Sequence, residues 1–113
     1  MNSMKNKVQL IGNLGADPEV KEFGSGKMLA KLKMATSDTY RDKDGNKIEE
    51  TYWHNLIVWG KLAKIAQQYL YKGKQIAVEG KLTNRSYDDK DGNKRYFTEI
   101  VVSDFVMLGG RQQ

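Results

Sequence analysis

Apolar and polar residues alternate with a period of two along most of the chain, the pattern of strands with one buried face. Over 7–14, Val8, Leu10, Gly12 and Leu14 share one parity before Gly15 and Pro18 interrupt it. Over 28–36, Met28, Ala30, Leu32, Met34 and Thr36 form one face and Leu29, Lys31, Lys33 and Ala35 the other, so an apolar face is backed by a partly cationic one. From Tyr52 to Trp59 the alternation sets Trp53, Asn55, Ile57 and Trp59 against Tyr52, His54, Leu56 and Val58, which points both tryptophans the same way. The period then lengthens. After Gly60, KLAKIAQQYLYKG puts Leu62, Ile65, Ala66, Tyr69 and Leu70 on one side of a helix of about three turns, closed by Lys72 and Gly73. Strand periodicity returns with Ile76, Val78, Gly80 and Leu82 set against Ala77, Glu79, Lys81, Thr83, Arg85 and Tyr87, and a last strand covers about 95–108.

The hexapeptide DKDGNK occurs at 42–47 and again at 89–94, each time between strand-like runs. Asp-Gly tolerates the positive φ of hairpin turns, so both copies read as tips of long β-hairpins. Three strands, a helix and two strands is the order of an all-β, five-stranded OB-fold barrel with one α-helix between strands 3 and 4. The 113 residues suffice for a single domain, expected over 1–113, and closure of the barrel removes exposed edges.

Composition narrows the chemistry. There is no cysteine, which excludes a disulfide scaffold, a thiolate metal site and a thiol nucleophile. The opening MNSMKNKVQLIGNLG reads as neither signal peptide nor membrane helix, so the expected location is the cytoplasm, with no membrane partner. A net charge of +5 favours an anionic partner without identifying it. His54, the only histidine, has a parity opposite to the tryptophans and reads as structural. FGSGKM lacks the first glycine and the final Ser or Thr of a phosphate-binding loop. Asp42, Asp44 and Asp91 miss the calcium-loop spacing, and the pairs Glu49–Glu50 and Asp88–Asp89 fit solvated hairpin arms. No metal, cofactor or catalytic residue is expected, and the chain does not read as an enzyme.

What remains is aromatic rings interleaved with cations. Unpaired nucleic acid exposes base faces and a row of phosphates, so a sequence-tolerant binder needs flat rings on a sheet with Lys and Arg along the path. Tyr40, Trp53, Trp59 and Tyr87 supply rings expected to project from one side of the sheet, and Lys31, Lys33, Lys61, Lys72, Lys81 and Arg85 supply the cations. The competing reading makes the rings core residues. Against it, the other parity of the tryptophan strand already supplies an apolar face, and both indoles share theirs with Asn55.

The blocks NKVQLIGNLGADPEV, MATSDTYRDK, TYWHNLIVWGKLA, YLYKGKQIAVEGKL and MLGGRQ closely resemble, in the same order and over nearly the whole chain, the bacterial single-stranded DNA-binding protein family. That resemblance implies an OB barrel, a homotetramer, and single-stranded DNA wrapped over its surface in replication, recombination and repair. The family's stacking positions match Tyr40, Trp53, Trp59 and Tyr87. Two are tyrosines where tryptophan is frequent, and Trp59 stands where phenylalanine is frequent. Asn55, Thr83 and Ser86 replace residues often basic in relatives, while Lys31 and Lys33 offer charge from the neighbouring strand, which leaves the net effect on affinity open in either direction. Relatives usually continue past GGRQ into a flexible linker with an acidic tip that recruits repair enzymes. This chain stops at Gln113, whether as a short natural member or a truncated one, so tail-mediated recruitment is not expected. The alternative function is an OB-fold adaptor working mainly through protein contacts in a replication-restart assembly.

Overall fold

The computed structural model describes residues 4–109, so the end of the MLGGRQ block, from Gly110 onward, and the stop at Gln113 lie outside the described residues. After a 3-10 turn at Met4–Asn6 come β1 (Val8–Leu14), β2 (Glu19–Glu22), β3 (Met28–Arg41), β4 (Lys47–Trp59), α1 (Gly60–Tyr69), β5 (Gln75–Asp88) and β6 (Lys94–Leu108). The sheet runs β1-β5-β6-β4-β3-β2, and a further β1–β3 pairing at Asn13 and Leu14 closes it. Five long strands therefore make the all-β OB barrel, with the helix following the tryptophan strand. β2 is an addition: a four-residue strand hairpinned onto the start of β3, with Val20 its only apolar residue and so no alternation to announce it.

Closure depends on one missing side chain. Where β1 crosses β3, a Cβ on Gly12 would run into the Ala35 carbonyl, so the two strands can meet only through glycine. Inside, the inward parity of each strand packs together as Leu14, Leu32, Met34, Leu56, Val58, Ile76, Val78, Ile100 and Val102, all buried. Each such side chain contributes about 1.5–3 kcal/mol on leaving water, which makes the alternation of the sequence the main determinant of the fold.

The helix lies at one end of this core and differs from its expected outline. Its buried residues are Ala63 and Ala66, whereas Ile65 and Tyr69 are exposed. Small residues let the helix axis approach the strand ends closely, a criterion that apolar spacing alone does not capture. The helix also ends early: Leu70 turns to extended backbone (ψ 150°) and buries itself in the core, donating its N–H to the Ala66 carbonyl. Gly73, expected as the closing residue, instead occupies the following turn at φ +92°, with its N–H on the Leu14 carbonyl.

Both DKDGNK copies fold alike. In the first, Gly45 donates to the Asp42 carbonyl and the Asp42 carboxylate accepts from the N–H groups of Asp44 and Asn46, each at 2.9 Å. In the second, Gly92 and Asp89 repeat the arrangement. Only the glycines take positive φ, at +83° in both copies, and each aspartate at the head of its turn organises it. Arg95 also donates to Asp89 at 2.9 Å, and that guanidinium, with the N–H groups of Asn93 and Asp91, holds the Asp89 carboxyl below its ordinary range. Among the described residues no helix is long and apolar enough to cross a membrane.

Candidate nucleic-acid interface

The uninterrupted β3–β4 register assigns side chains to faces. Lys31, Lys33 and Ala35 lie opposite Ile57, Asn55 and Trp53, so the two lysines and both tryptophans share the outer face. On the other arm, Lys81, Thr83, Arg85 and Tyr87 pair with Val101, Glu99, Phe97 and Arg95. The two sets meet across the short parallel pairing of Ile57 with Val101. Between them runs a groove of about 350 Å³ lined by Lys31, Lys33, Asn55, Ile57, Arg85, Phe97 and Glu99, with Asp17 and Glu19 on the β1–β2 side.

Rings stand along this groove. Trp53 is 62% exposed, and its indole lies over Gly15, where an added Cβ would collide with it. The N–H of Gly15 donates to the Lys33 carbonyl at 2.9 Å, which fixes the loop beneath the ring. Trp59 is 46% exposed and stacks on Phe23, with centroids 6.3 Å apart and planes 29° from parallel. Tyr87 is 53% exposed and meets Phe97 edge-on at 6.0 Å, while the Arg85 guanidinium lies 5.6 Å from the centre of the same Phe97 ring. Flat, solvent-facing rings held from one side by neighbours have a free face for a nucleobase.

Tyr40 is the exception to the expected single-sided arrangement. It pairs with Ile48, five positions along the ladder from the Ala35–Trp53 pair, and pleating turns an odd offset to the opposite face. There, 47% exposed, it shares Glu50 with Tyr52: the Tyr40 hydroxyl donates at 3.4 Å and the Tyr52 hydroxyl at 2.6 Å. That hydrogen bond and the Glu50 charge raise the Tyr52 phenol above its usual value. Trp53, Trp59 and Tyr87 thus share the groove face, and Tyr40 stands behind the β3–β4 arm.

Of the six cations, Lys31, Lys33 and Arg85 line the groove, and Lys81 extends the same face of β5. Lys61 is exposed in the first turn of the helix, two residues after Trp59. Lys72 lies in the turn after the helix, where its backbone N–H donates to the Asp17 carboxylate at 2.8 Å and so ties that turn to the groove wall. His54 faces away from the tryptophans and hydrogen-bonds Thr36 at 3.0 Å, a cross-strand structural contact. The groove residues Phe97 and Glu99, and Phe23 beside Trp59, are not singled out by the sequence pattern. Phe97 and Glu99 share the parity of Arg95 against buried Ile100 and Val102, a signal present in the last strand; Phe23 lies in the turn after β2, where no periodicity exists.

Comparison with known proteins finds relatives of nearly the whole chain. The model of the family described as "Single-strand binding protein family" matches residues 5–108. The chain is 51% identical over 107 residues to single-stranded DNA-binding protein 1 of Chlorobaculum tepidum, covering 94% of this chain and 66% of that protein. It is 51% identical over 108 residues to single-stranded DNA-binding protein 1 of Xylella fastidiosa, covering 95% of this chain and 79% of the relative. Among solved structures, the Plasmodium falciparum SSB in complex with ssDNA superposes with a TM-score of 0.86 at 29% identity, covering 96% of this chain and 100% of that one. A deletion mutant of the single-stranded DNA binding protein from Thermus aquaticus superposes at 0.80 with 32% identity, covering 94% and 51% respectively. With nearly its whole length matched in sequence and the same barrel in structure, this chain belongs to the single-strand binding protein family.

Proposed function

We propose that the protein binds and protects single-stranded DNA without regard to sequence overall, in replication, recombination and repair, and that it performs no catalysis. The observation that carries this reading is that Trp53, Trp59 and Tyr87, all about half exposed or more, share one face of the barrel with Lys31, Lys33, Lys81 and Arg85. Bases stack on the rings, each contributing on the order of 1–3 kcal/mol, while the cations take the phosphates. Lys61 and Lys72 lie at the ends of the helix region and would extend the phosphate path. Tyr40 would engage a strand that passes round the β3–β4 arm to its rear.

The assembly is a homotetramer acting in the cytoplasm, which would let one DNA strand pass from protomer to protomer. Two features support self-association. Val8 to Gly12 of β1 pair on one side only, with β5, and exposed Ile11 and Val106 flank Ala77 in a single row across β1, β5 and β6. An unpaired edge beside an apolar row is a surface that a second copy would cover. Light scattering at a mass near the 12.9 kDa protomer would contradict it.

Titration with oligo(dT) of graded lengths, followed by tryptophan quenching, tests the reading as a whole. Tight binding that weakens with added salt supports it and excludes the adaptor alternative. Absence of quenching by any oligonucleotide would sink it.

A further inference from the structure

Glu99 is out of keeping with a groove for a polyanion. Its side chain is 6% exposed, yet it lines the groove floor beside Lys31, Lys33, Asn55 and Phe97. Its one ion-pair partner among the described residues is Arg85, whose guanidinium nitrogen stands 3.6 Å from Oε1, beyond hydrogen-bond reach. Arg85 itself is 60% exposed and lies over the Phe97 ring. The carboxylate is therefore nearly buried at the groove with no side-chain hydrogen bond among the described residues. Near a phosphate path it repels the backbone, so its natural counterpart in bound DNA is a donor on a base edge. Cytosine N4, adenine N6 and the N1 and N2 groups of guanine are such donors; thymine has no amino group, and its one donor, N3–H, sits between two carbonyl oxygens that repel a carboxylate.

We propose that Glu99 makes one position of the groove base-reading, preferring a base that carries an amino group, with cytosine favoured over any pyrimidine lacking one. In this arrangement Phe97 offers a stacking face, Arg85 meets the adjoining phosphate, and Glu99 accepts from the amino group. The rings elsewhere stay indifferent to sequence, so the preference modulates binding at one nucleotide while the strand as a whole is held without selection. This inference rests on the proposed use of the groove for single-stranded DNA.

The test compares oligonucleotides of about eight nucleotides: oligo(dC), oligo(dT), and a chain in which 2-pyrimidinone, cytosine without its amino group, replaces each cytosine. The unsubstituted protein should bind oligo(dC) roughly fivefold or more tightly than the 2-pyrimidinone chain, given the usual worth of a directed base contact. In Glu99→Met, which keeps the length of the side chain but cannot accept strongly, that ratio should collapse toward one. Glu99→Gln, which retains a carbonyl acceptor, should preserve part of it. Equal binding of the two chains by the unsubstituted protein would overturn the inference, and needs no variant to fold. A ratio unchanged in Glu99→Met would overturn it as well, assigning Glu99 only to the orientation of Arg85. Failure to bind oligo(dT) would instead sink the reading of the groove itself.

Discussion

Removing the Trp53 ring is the sharpest perturbation of the proposed stacking surface. The indole is 62% exposed, so roughly 100 Å² of a tryptophan's surface of about 250 Å² is covered in the free protein. At about 25 cal/mol per Å², Trp53→Ala costs the fold at most about 2.5 kcal/mol, a tolerable part of the roughly 5–15 kcal/mol typical of a domain. The loss in binding should be of a different kind. One stacked base forgone is about 1–3 kcal/mol, or roughly 5- to 150-fold in Kd for oligo(dT), with the salt dependence unchanged because no cation is removed. Trp53→Phe should recover much of it. The chain has two tryptophans, so fluorescence titration of Trp53→Ala reports on Trp59 alone and shows whether the remaining ring still meets DNA. A folded Trp53→Ala variant with affinity within about twofold of the parent would refute the stacking role, since a half-exposed ring that contributes nothing to binding is only surface.

Other expectations follow from the same geometry. Tyr40→Ala should leave binding of short oligonucleotides within about twofold and weaken only chains long enough to round the β3–β4 arm, which a length series would reveal. Replacing Lys31 and Lys33 together by alanine should flatten the plot of log affinity against log salt by about 1.4, from the relation for single strands, and an unchanged slope would remove both from the phosphate path. Gly12→Ala should lower stability by about 1–3 kcal/mol in chemical denaturation, because the methyl meets the Ala35 carbonyl at the barrel seam. Asp89 ionises more readily in the fold than in the unfolded chain, so its stabilising contribution is complete above the ordinary aspartate range and disappears as pH falls through its lowered folded value. The Tm gap between the parent and Asp89→Asn should narrow as pH drops from about 6 to about 3, and a gap independent of pH would contradict the role of the Arg95 contact.

Much of this architecture is legible in the sequence because a strand with one buried face must alternate. Leu32, Met34, Leu56 and Val58 occupy the core where their parity placed them, and the same rule pointed Trp53, Trp59, Lys31 and Lys33 outward. Parity also carried the information that separates Tyr40 from the tryptophans, but only once the exact register across the first hairpin is known. The helix departs in detail from its apolar spacing because hydrophobicity favours Ile65 and Tyr69 for burial, whereas close approach to the barrel end selects Ala63 and Ala66. Phe23 reaches Trp59 across a turn, and such a contact between segments 36 positions apart leaves no local signature. Glu99 had a legible parity, but its burial depends on the meeting of β4 and β6, a parallel contact that no short-range pattern announces.

The glycine under the Trp53 indole gives the protein an adjustment that no nucleotide touches. A methyl at position 15 would push against the aromatic edge, and the ring, free on its outer side, is the partner able to yield. Its tilt, and with it the grip on a passing strand, can therefore be retuned from the far side of the ring, leaving every DNA-facing atom chemically as it was.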